Sequence, residues 1–171
     1  MATQEADTAL DAAARASVTI GRPADELRDL WLSSDTQSRI WAHFADVRAL
    51  DDRTADWVAH GPGGREYRWR TVLESIGPNE VRWSTLEGAD VANAGLLLFR
   101  SAPGQRGTEL HLDVRFDPPG GAVGEAVSKL FHIVPREIVL KGLYNFRALA
   151  VTGEIPTTDP QPAARQDGAD R

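Results

Sequence analysis

The four histidines are the residues best suited to chemistry in this sequence, because the imidazole ring carries protons near neutral pH and binds metal ions. They are His43, His60, His111 and His132. No two of them have the HxH, HExxH or HxxxH spacing that brings two imidazoles to one metal ion. We therefore predict no metal site, and we retain His132 as a candidate catalytic proton carrier.

Other catalytic fingerprints do not occur in the sequence. The 171 residues include no cysteine, which excludes disulfides, thiolate metal sites and cysteine nucleophiles. There is no GxSxG elbow, no GxxxxGKS/T loop and no GxGxxG turn, so serine hydrolase and nucleotide chemistry have no support. We expect a protein that uses no cofactor.

One run, Arg65–Arg70, interleaves basic and aromatic residues, as sites for single-stranded nucleic acid do. Strand alternation places Arg68 and Arg70 on the face opposite Tyr67 and Trp69, and the formal net charge of the chain is -6. Neither feature favours contact with phosphates, so we predict no nucleic-acid partner. The longest apolar stretch, 94–99, is too short for stable membrane insertion.

The predicted strands 65–76 and 81–85 each direct aromatic and hydroxyl side chains to one face. These side chains are Tyr67, Trp69, Thr71, Trp83 and Thr85. Tryptophan and tyrosine combine a large apolar body with a polar group that requires a partner when it is buried. The face is therefore either a well-packed core or the wall of a small-molecule site with a few convergent polar groups. In the second case, Tyr67 is a candidate catalytic residue and the other four contact the ligand.

A helical pattern follows from Val123 to Thr152, with an interruption at Pro135 and a stop signal at Gly153. Helical spacing predicts that one face of this helix is turned to the sheet and contacts the ligand. The residues on that face and at its edge are Val139, Gly142, Leu143, Asn145 and Phe146.

Gly142 is the least expected residue of this face, because glycine inside a helix costs on the order of 1 kcal/mol relative to alanine. Two explanations stay open. Gly142 leaves room for a ligand, with the amide of Asn145 beside it, or it allows a close contact between the helix and the sheet. A second apolar stripe on the far side, formed by Leu140, Tyr144, Ala148 and Val151, indicates a possible homodimer.

The remaining segments complete an α+β pattern. A short strand is predicted at 16–21, helices at 24–32 and 36–44, and further strands at 55–60, 93–101 and 110–116. One-sided alternation is typical of an antiparallel sheet with one wet face. The only sizeable element left to cover the apolar face is the C-terminal helix.

This order of elements resembles the helix-grip fold of the START-like, or polyketide cyclase/dehydrase (SRPBCC), superfamily. It is most similar to a group of small bacterial cyclase/dehydrase proteins related to coenzyme Q-binding proteins. The residues that carry the resemblance are Asp56–Ala59, Trp69, Gly88–Gly95, Arg106–Glu109, Pro118–Gly121, Lys129–Phe131 and Thr152–Thr158. The resemblance implies a curved antiparallel sheet wrapped around the long C-terminal helix, with an apolar cavity between them.

We predict a domain at 15–155 between disordered tails at 1–14 and 156–171, in a cytoplasmic protein. The favoured hypothesis is that the cavity binds a hydrophobic small molecule such as a polyketide, a quinone or a lipid-like compound. The alternative is a cyclase or dehydratase that uses acid–base catalysis in the same cavity, with His132, Tyr67, Tyr144 and Asn145 as candidate groups. A pure interaction role is a third possibility.

Overall fold

The computed structural model of the chain describes residues 13–117 and 135–156, and their elements form one curved sheet with three helices. We number these elements in chain order. They are β1 (Ala13–Ile20), α1 (Ala24–Leu32), α2 (Ser34–Ile40), β2 (Ala45–Ala49), β3 (Thr54–His60), β4 (Glu66–Ile76), β5 (Glu80–Thr85), β6 (Ala92–Ser101), β7 (Thr108–Asp117) and α3 (Pro135–Thr152).

The seven described strands lie in the order β1-β7-β6-β5-β4-β3-β2, and every neighbouring pair is antiparallel. The predicted α+β helix-grip architecture is confirmed. Two boundaries differ from the prediction. Ala13 and Ala14 already pair with β7, so β1 includes the end of the predicted N-terminal tail. The helix predicted to reach Phe44 ends at Ile40, because the chain turns there and begins the short edge strand β2, which the pattern analysis did not identify.

Glycines terminate elements where the backbone enters the left-handed region. Gly63 and Gly64, between β3 and β4, have φ angles of 69° and 75°, which side chains with a Cβ rarely adopt. Gly153 has φ 78°, and its N–H donates to the Leu149 carbonyl at 2.9 Å, as at the end of a helix. The predicted stop of the C-terminal helix is therefore confirmed.

Helix α3 begins at Pro135, and the predicted helical residues 123–134 lie outside the described part of the chain. The helix packs mainly on β1 and also contacts α2 and β7. Val139, Leu143 and Phe146 are each at most 1% exposed, which confirms that this face is turned to the core. Among the described residues, no helix is long and apolar enough to cross a membrane.

Candidate ligand-binding site

A row of four small residues crosses the inner face of the sheet from β2 to β5. In this small-residue row, Ala49 pairs with Ala55, Ala55 with Thr71, and Thr71 with Thr85. The backbone N–H of Asn93 donates to the Thr85 hydroxyl oxygen at 3.2 Å, which extends the row onto β6. Small side chains in register leave a shallow trench across the sheet.

Large side chains border this trench on both sides. Trp57 lies opposite Trp69 on one side, and Leu73 lies opposite Trp83 on the other. Same-face residues of a strand are about 7 Å apart, so Trp69 and Leu73, with Thr71 between them on β4, are separated by about 14 Å between their Cα atoms. The trench is therefore a slot between rows of indole and leucine side chains.

Described residues line two cavities on this face, and the larger of them, which we call the first cavity, occupies the outer end of the trench. Its volume is about 410 Å³, which lies within the usual range for small-molecule sites. The floor includes Ala49, Ala55 and Thr71. The turn between α1 and α2 covers it, with the side chains of Trp31, Leu32, Ser34, Gln37 and Trp41.

A second cavity, of about 30 Å³, lies further along the trench toward α3. Asn93 is the polar residue of its described lining, beside Phe116 and Val139. The Asn93 amide Nδ2 donates to the Val91 carbonyl at 3.2 Å, which leaves the amide oxygen as an acceptor. Three indoles line both cavities and stand between them: Trp41, Trp57 and Trp83.

Trp57 is held by two contacts. Its Nε1–H donates to the Thr71 hydroxyl oxygen at 3.0 Å, and its ring stacks on Trp69 with 5.9 Å between centroids. Because the Thr71 oxygen accepts from the indole, the hydroxyl hydrogen of this buried residue is left to donate. Thr71 lines the first cavity, so that donor is available to a ligand there.

Trp41 is held by Gln37 and by Gly142. The indole Nε1–H donates to the Gln37 Oε1 at 2.9 Å, and the amide of Gln37 in turn donates to the Trp31 carbonyl at 2.6 Å. A Cβ on Gly142 would overlap the Trp41 ring. Neither predicted explanation of Gly142 is therefore right, because the space is filled by an indole from the end of α2.

Trp83 is held differently from the other two indoles. Its ring lies over Gly95, its partner on β6, where a Cβ would overlap the ring. It also contacts Trp31 at 6.4 Å between centroids. Within the described residues, the Trp83 indole N–H has no hydrogen-bond partner. The ring is therefore positioned by its packing against Gly95 and Trp31, without a hydrogen bond to a described residue.

The ionisable residues of the first cavity lie at its mouth, in the exposed turn between β2 and β3. They are Asp51, Asp52 and Arg53. The Arg53 backbone N–H donates to the Asp51 carboxylate at 2.8 Å, and so does the N–H of Thr54. These hydrogen bonds, that from Arg53 first, hold the pKa of Asp51 below its ordinary value.

The three predicted catalytic residues do not come together in either cavity. Tyr67 is buried in a separate cluster with Ala45, Ala59 and Val91. Tyr144 is 45% exposed on the far side of α3, where the Arg147 guanidinium lies over its ring. Neither tyrosine is among the described residues that line the first and second cavities. His132 lies outside the described residues.

The predicted ligand-binding residues separate into four groups. Thr71 lines the first cavity and Trp83 lines both, Trp69 and Val139 line the second, and Thr85 belongs to the small-residue row between them. Three residues of α3 either pack in the core or attach α3 to α2. Leu143 and Phe146 are fully buried in the core, and the Asn145 amide donates to the Ile40 carbonyl at 3.0 Å.

The predicted position of the cavity, between the sheet and the C-terminal helix, applies to the second cavity, which Ile138 and Val139 of α3 line, but not to the first. None of the described residues that line the first cavity belongs to α3, because α3 lies over the β1 side of the sheet. The cover comes instead from the short helices α1 and α2. Val151 of the predicted association stripe is 64% exposed, and association through that stripe stays a prediction.

Several residues of the site were not identified from the sequence. Trp57 alternates with Ala55 and Ala59 on β3, so its inward direction could have been read from the same period-two rule. Trp31 and Trp41 come from the short helical segments, where periodicity is brief, and the contact between Trp83 and Gly95 depends on strand register. No local pattern predicts that contact.

His43, in the turn after α2, attaches the cover to α3. Its Nε2 lies 3.2 Å from the Ile138 carbonyl oxygen and therefore carries the proton, which makes Nδ1 the acceptor nitrogen. Nδ1 is buried and has no partner among the described residues. Burial lowers the pKa of His43, and the nearby Lys141 lowers it further.

The sheet, the two short helices and the terminal helix define the fold of START-like, polyketide cyclase-type proteins. The crystal structure of DR_A0006 from Deinococcus radiodurans is similar, with 28% identity, a TM-score of 0.63 and coverage of 82% of this chain and 98% of that chain. TTHA0849 from Thermus thermophilus has 18% identity, a TM-score of 0.69 and the same two coverages.

A protein with a described pathway also shares the fold. The di-domain ARO/CYC StfQ from the steffimycin biosynthetic pathway has 15% identity and a TM-score of 0.62, and the match covers 87% of this chain and 54% of that chain. No family model matches the sequence. No curated protein matches it either.

Proposed function

We propose that this protein binds a flat, hydrophobic small molecule with a hydrogen-bond-accepting oxygen, such as a polyketide or a quinone, in the first cavity. The observation that carries the proposal is the position of the Thr71 hydroxyl, which lines a 410 Å³ cavity walled by indoles. Apolar walls with few polar groups are the usual composition of small-molecule sites. The donor fixes the orientation of the ligand, and the walls supply most of the affinity.

The shape of the site favours a planar ligand. The first cavity lies over the small-residue row, with Trp57 on one side and Trp83 on the other. Aromatic rings prefer stacked or edge-to-face contacts, and such contacts contribute about 0.5–1.5 kcal/mol beyond the area that they bury. A fused-ring ligand gains these contacts on both sides of the slot.

The distribution of charge supports binding over catalysis. In the described lining, the ionisable side chains are confined to the mouth, and the Asp51 carboxylate already accepts two backbone hydrogen bonds. A cyclase or dehydratase in the same cavity, the activity class that the ARO/CYC name of StfQ suggests, would need a group that moves protons inside the slot. Of the candidates for that role, Tyr67 and Tyr144 lie elsewhere.

A titration of indole fluorescence with 1,8-dihydroxyanthraquinone tests the proposal. The wild type is expected to bind this planar hydroxyquinone, and Thr71→Val to bind it about two- to tenfold more weakly, because a neutral hydrogen bond contributes about 0.5–1.5 kcal/mol. Thr71→Ser keeps the hydroxyl and should retain the affinity.

Thr85→Val is the matched control. Thr85 also accepts a hydrogen bond through its hydroxyl, but it does not line the first cavity. Its substitution should leave the affinity unchanged. Equal losses in Thr71→Val and Thr85→Val would contradict the role given to Thr71, and a wild type that does not bind would contradict the proposed function.

A further inference from the structure

The trench continues beyond the first cavity, and the indoles that close it differ in how firmly they are held. The first cavity ends at Trp41, Trp57 and Trp83, and the second begins on the other side of the same rings. Beneath them, Thr71, Thr85 and Asn93 form an unbroken polar row on the floor. The sheet therefore carries one trench that side chains divide into two.

Two of the three indoles are fixed by hydrogen bonds. Trp57 donates to Thr71, and Trp41 donates to Gln37 with Gly142 behind its ring. Trp83 makes no such bond among the described residues, and its ring rests on Gly95. Rotation of the Trp83 side chain would therefore break no hydrogen bond, whereas movement of Trp41 or Trp57 would leave an indole N–H without its partner.

We propose that Trp83 sets the maximum length of the ligand, as the partition between the two cavities. This inference rests on the proposed function. In the wild type, Trp83 closes the inner end of the first cavity together with Trp41 and Trp57, so a ligand is limited to the segment over Ala49, Ala55 and Thr71. When the Trp83 ring is removed, the cavities join along the Trp83 side of the trench, and the far end of the ligand reaches the Asn93 amide oxygen.

A series of 4-alkylphenols, from 4-methylphenol to 4-nonylphenol, measures this length by calorimetric titration. The phenol hydroxyl lies at the polar mouth of the first cavity and the alkyl chain extends inward over Ala55 and Thr71, and each added methylene should raise the affinity about fourfold while apolar space remains. In the wild type, the rise is expected to stop where the chain meets Trp83. In Trp83→Ala, the rise should continue for several more methylenes.

The decisive quantity is the ratio of the affinities for 4-octylphenol and 4-ethylphenol within each variant. Both ligands have the same head group, so general damage to the site cancels in the ratio. We expect the ratio to increase by roughly tenfold or more in Trp83→Ala, which corresponds to two or more additional buried methylenes. Trp83→Phe keeps an aromatic ring in the core and should give a smaller increase in this ratio. It replaces Trp83→Ala in the test if the alanine variant does not fold.

One control enlarges the second cavity without joining it to the first. Val114 lines the second cavity but not the first. Val114→Ala should therefore leave the ratio near its wild-type value. An increase in this control as large as that in Trp83→Ala would overturn the assignment of the partition to Trp83.

The outcomes separate the two proposals. A wild type that binds short phenols, with a length limit that Trp83→Ala and Trp83→Phe leave in place, overturns the partition and keeps the proposed function. If the wild-type affinity rises with every added methylene up to 4-nonylphenol, there is no length limit, so the partition is likewise overturned and the proposed function is kept. If neither the wild type nor the variants bind any phenol, the proposed function fails, and this inference fails with it.

Discussion

The inner face of the sheet has two halves that follow the same alternation with residues of different size. On β6 and β7, the inward residues Leu97, Leu110 and Leu112 are at most 1% exposed beneath α1 and α3. On β2 to β5, the small-residue row leaves an open cavity. The difference shows that alternation determines which face is apolar, whereas side-chain volume and the position of the helix determine whether that face is filled.

The two halves also differ in how their covers are held. Over the packed half, α3 lies on leucine and valine side chains. The cover of the open half packs on α3 through buried aromatic side chains, Trp31 against Phe146 and Trp41 against Gly142. Three hydrogen bonds to backbone carbonyls add to this packing: Asn145 to Ile40, His43 to Ile138, and Arg22 to Ala150.

The same substitution in each half gives the largest expected contrast. Leu143, at 0% exposure on α3, belongs to the packed half, and Leu73 borders the first cavity. Leu143→Ala should lower the free energy of unfolding by about 2–5 kcal/mol, because it leaves a cavity in a filled core. Leu73→Ala only enlarges an existing space and should cost less. Denaturant unfolding measures both values, and equal costs would break the comparison.

A smaller loss of stability is expected where α3 of the packed half contacts Trp41 of the open half. Gly142→Ala would place a methyl group where the Trp41 ring now lies. Overpacking of this kind costs about 1–3 kcal/mol, against which alanine gains up to about 1 kcal/mol in helix propensity. Thermal unfolding should therefore show a net loss, and the double variant Gly142→Ala, Trp41→Phe should recover part of it. A more stable single variant would mean that the ring moves aside without cost.

The strands and the terminal helix could be predicted from sequence because each rests on a local period. The period of two predicts that Thr71 and Trp83 face inward, and both line the first cavity. The location of the cavity could not be predicted, because it depends on which strands pair, and β2 was not identified. Gly142 shows the same limit. A glycine in a helix indicates a close neighbour, but the neighbour is Trp41, 101 positions earlier in the chain, and only the tertiary structure brings the two together.

The smallest expected effect concerns the attachment through His43, and it depends on pH. The groups that face His43 are the Ile138 and Ile40 carbonyls and the Lys141 ammonium, and burial is the largest cause of its lowered pKa. The imidazole of the folded protein is therefore neutral over a wider pH range than that of the unfolded chain, whose ordinary pKa is 6.5. Since the unfolded state binds more protons below pH 6.5, the free energy of unfolding should be constant above that pH and fall as the pH is lowered.

His43→Gln isolates this contribution, because glutamine keeps an N–H donor for the Ile138 carbonyl and does not titrate. We expect a weaker decrease in the free energy of unfolding between pH 7 and pH 5 in His43→Gln than in the wild type, measured by urea unfolding. All other residues are the same in both proteins, so the difference between the two profiles reports on position 43 alone. Parallel pH profiles would mean that protonation of His43 costs the fold nothing, and the attachment of the open half to α3 would then depend on Asn145, Arg22 and the contact of Trp41 with Gly142.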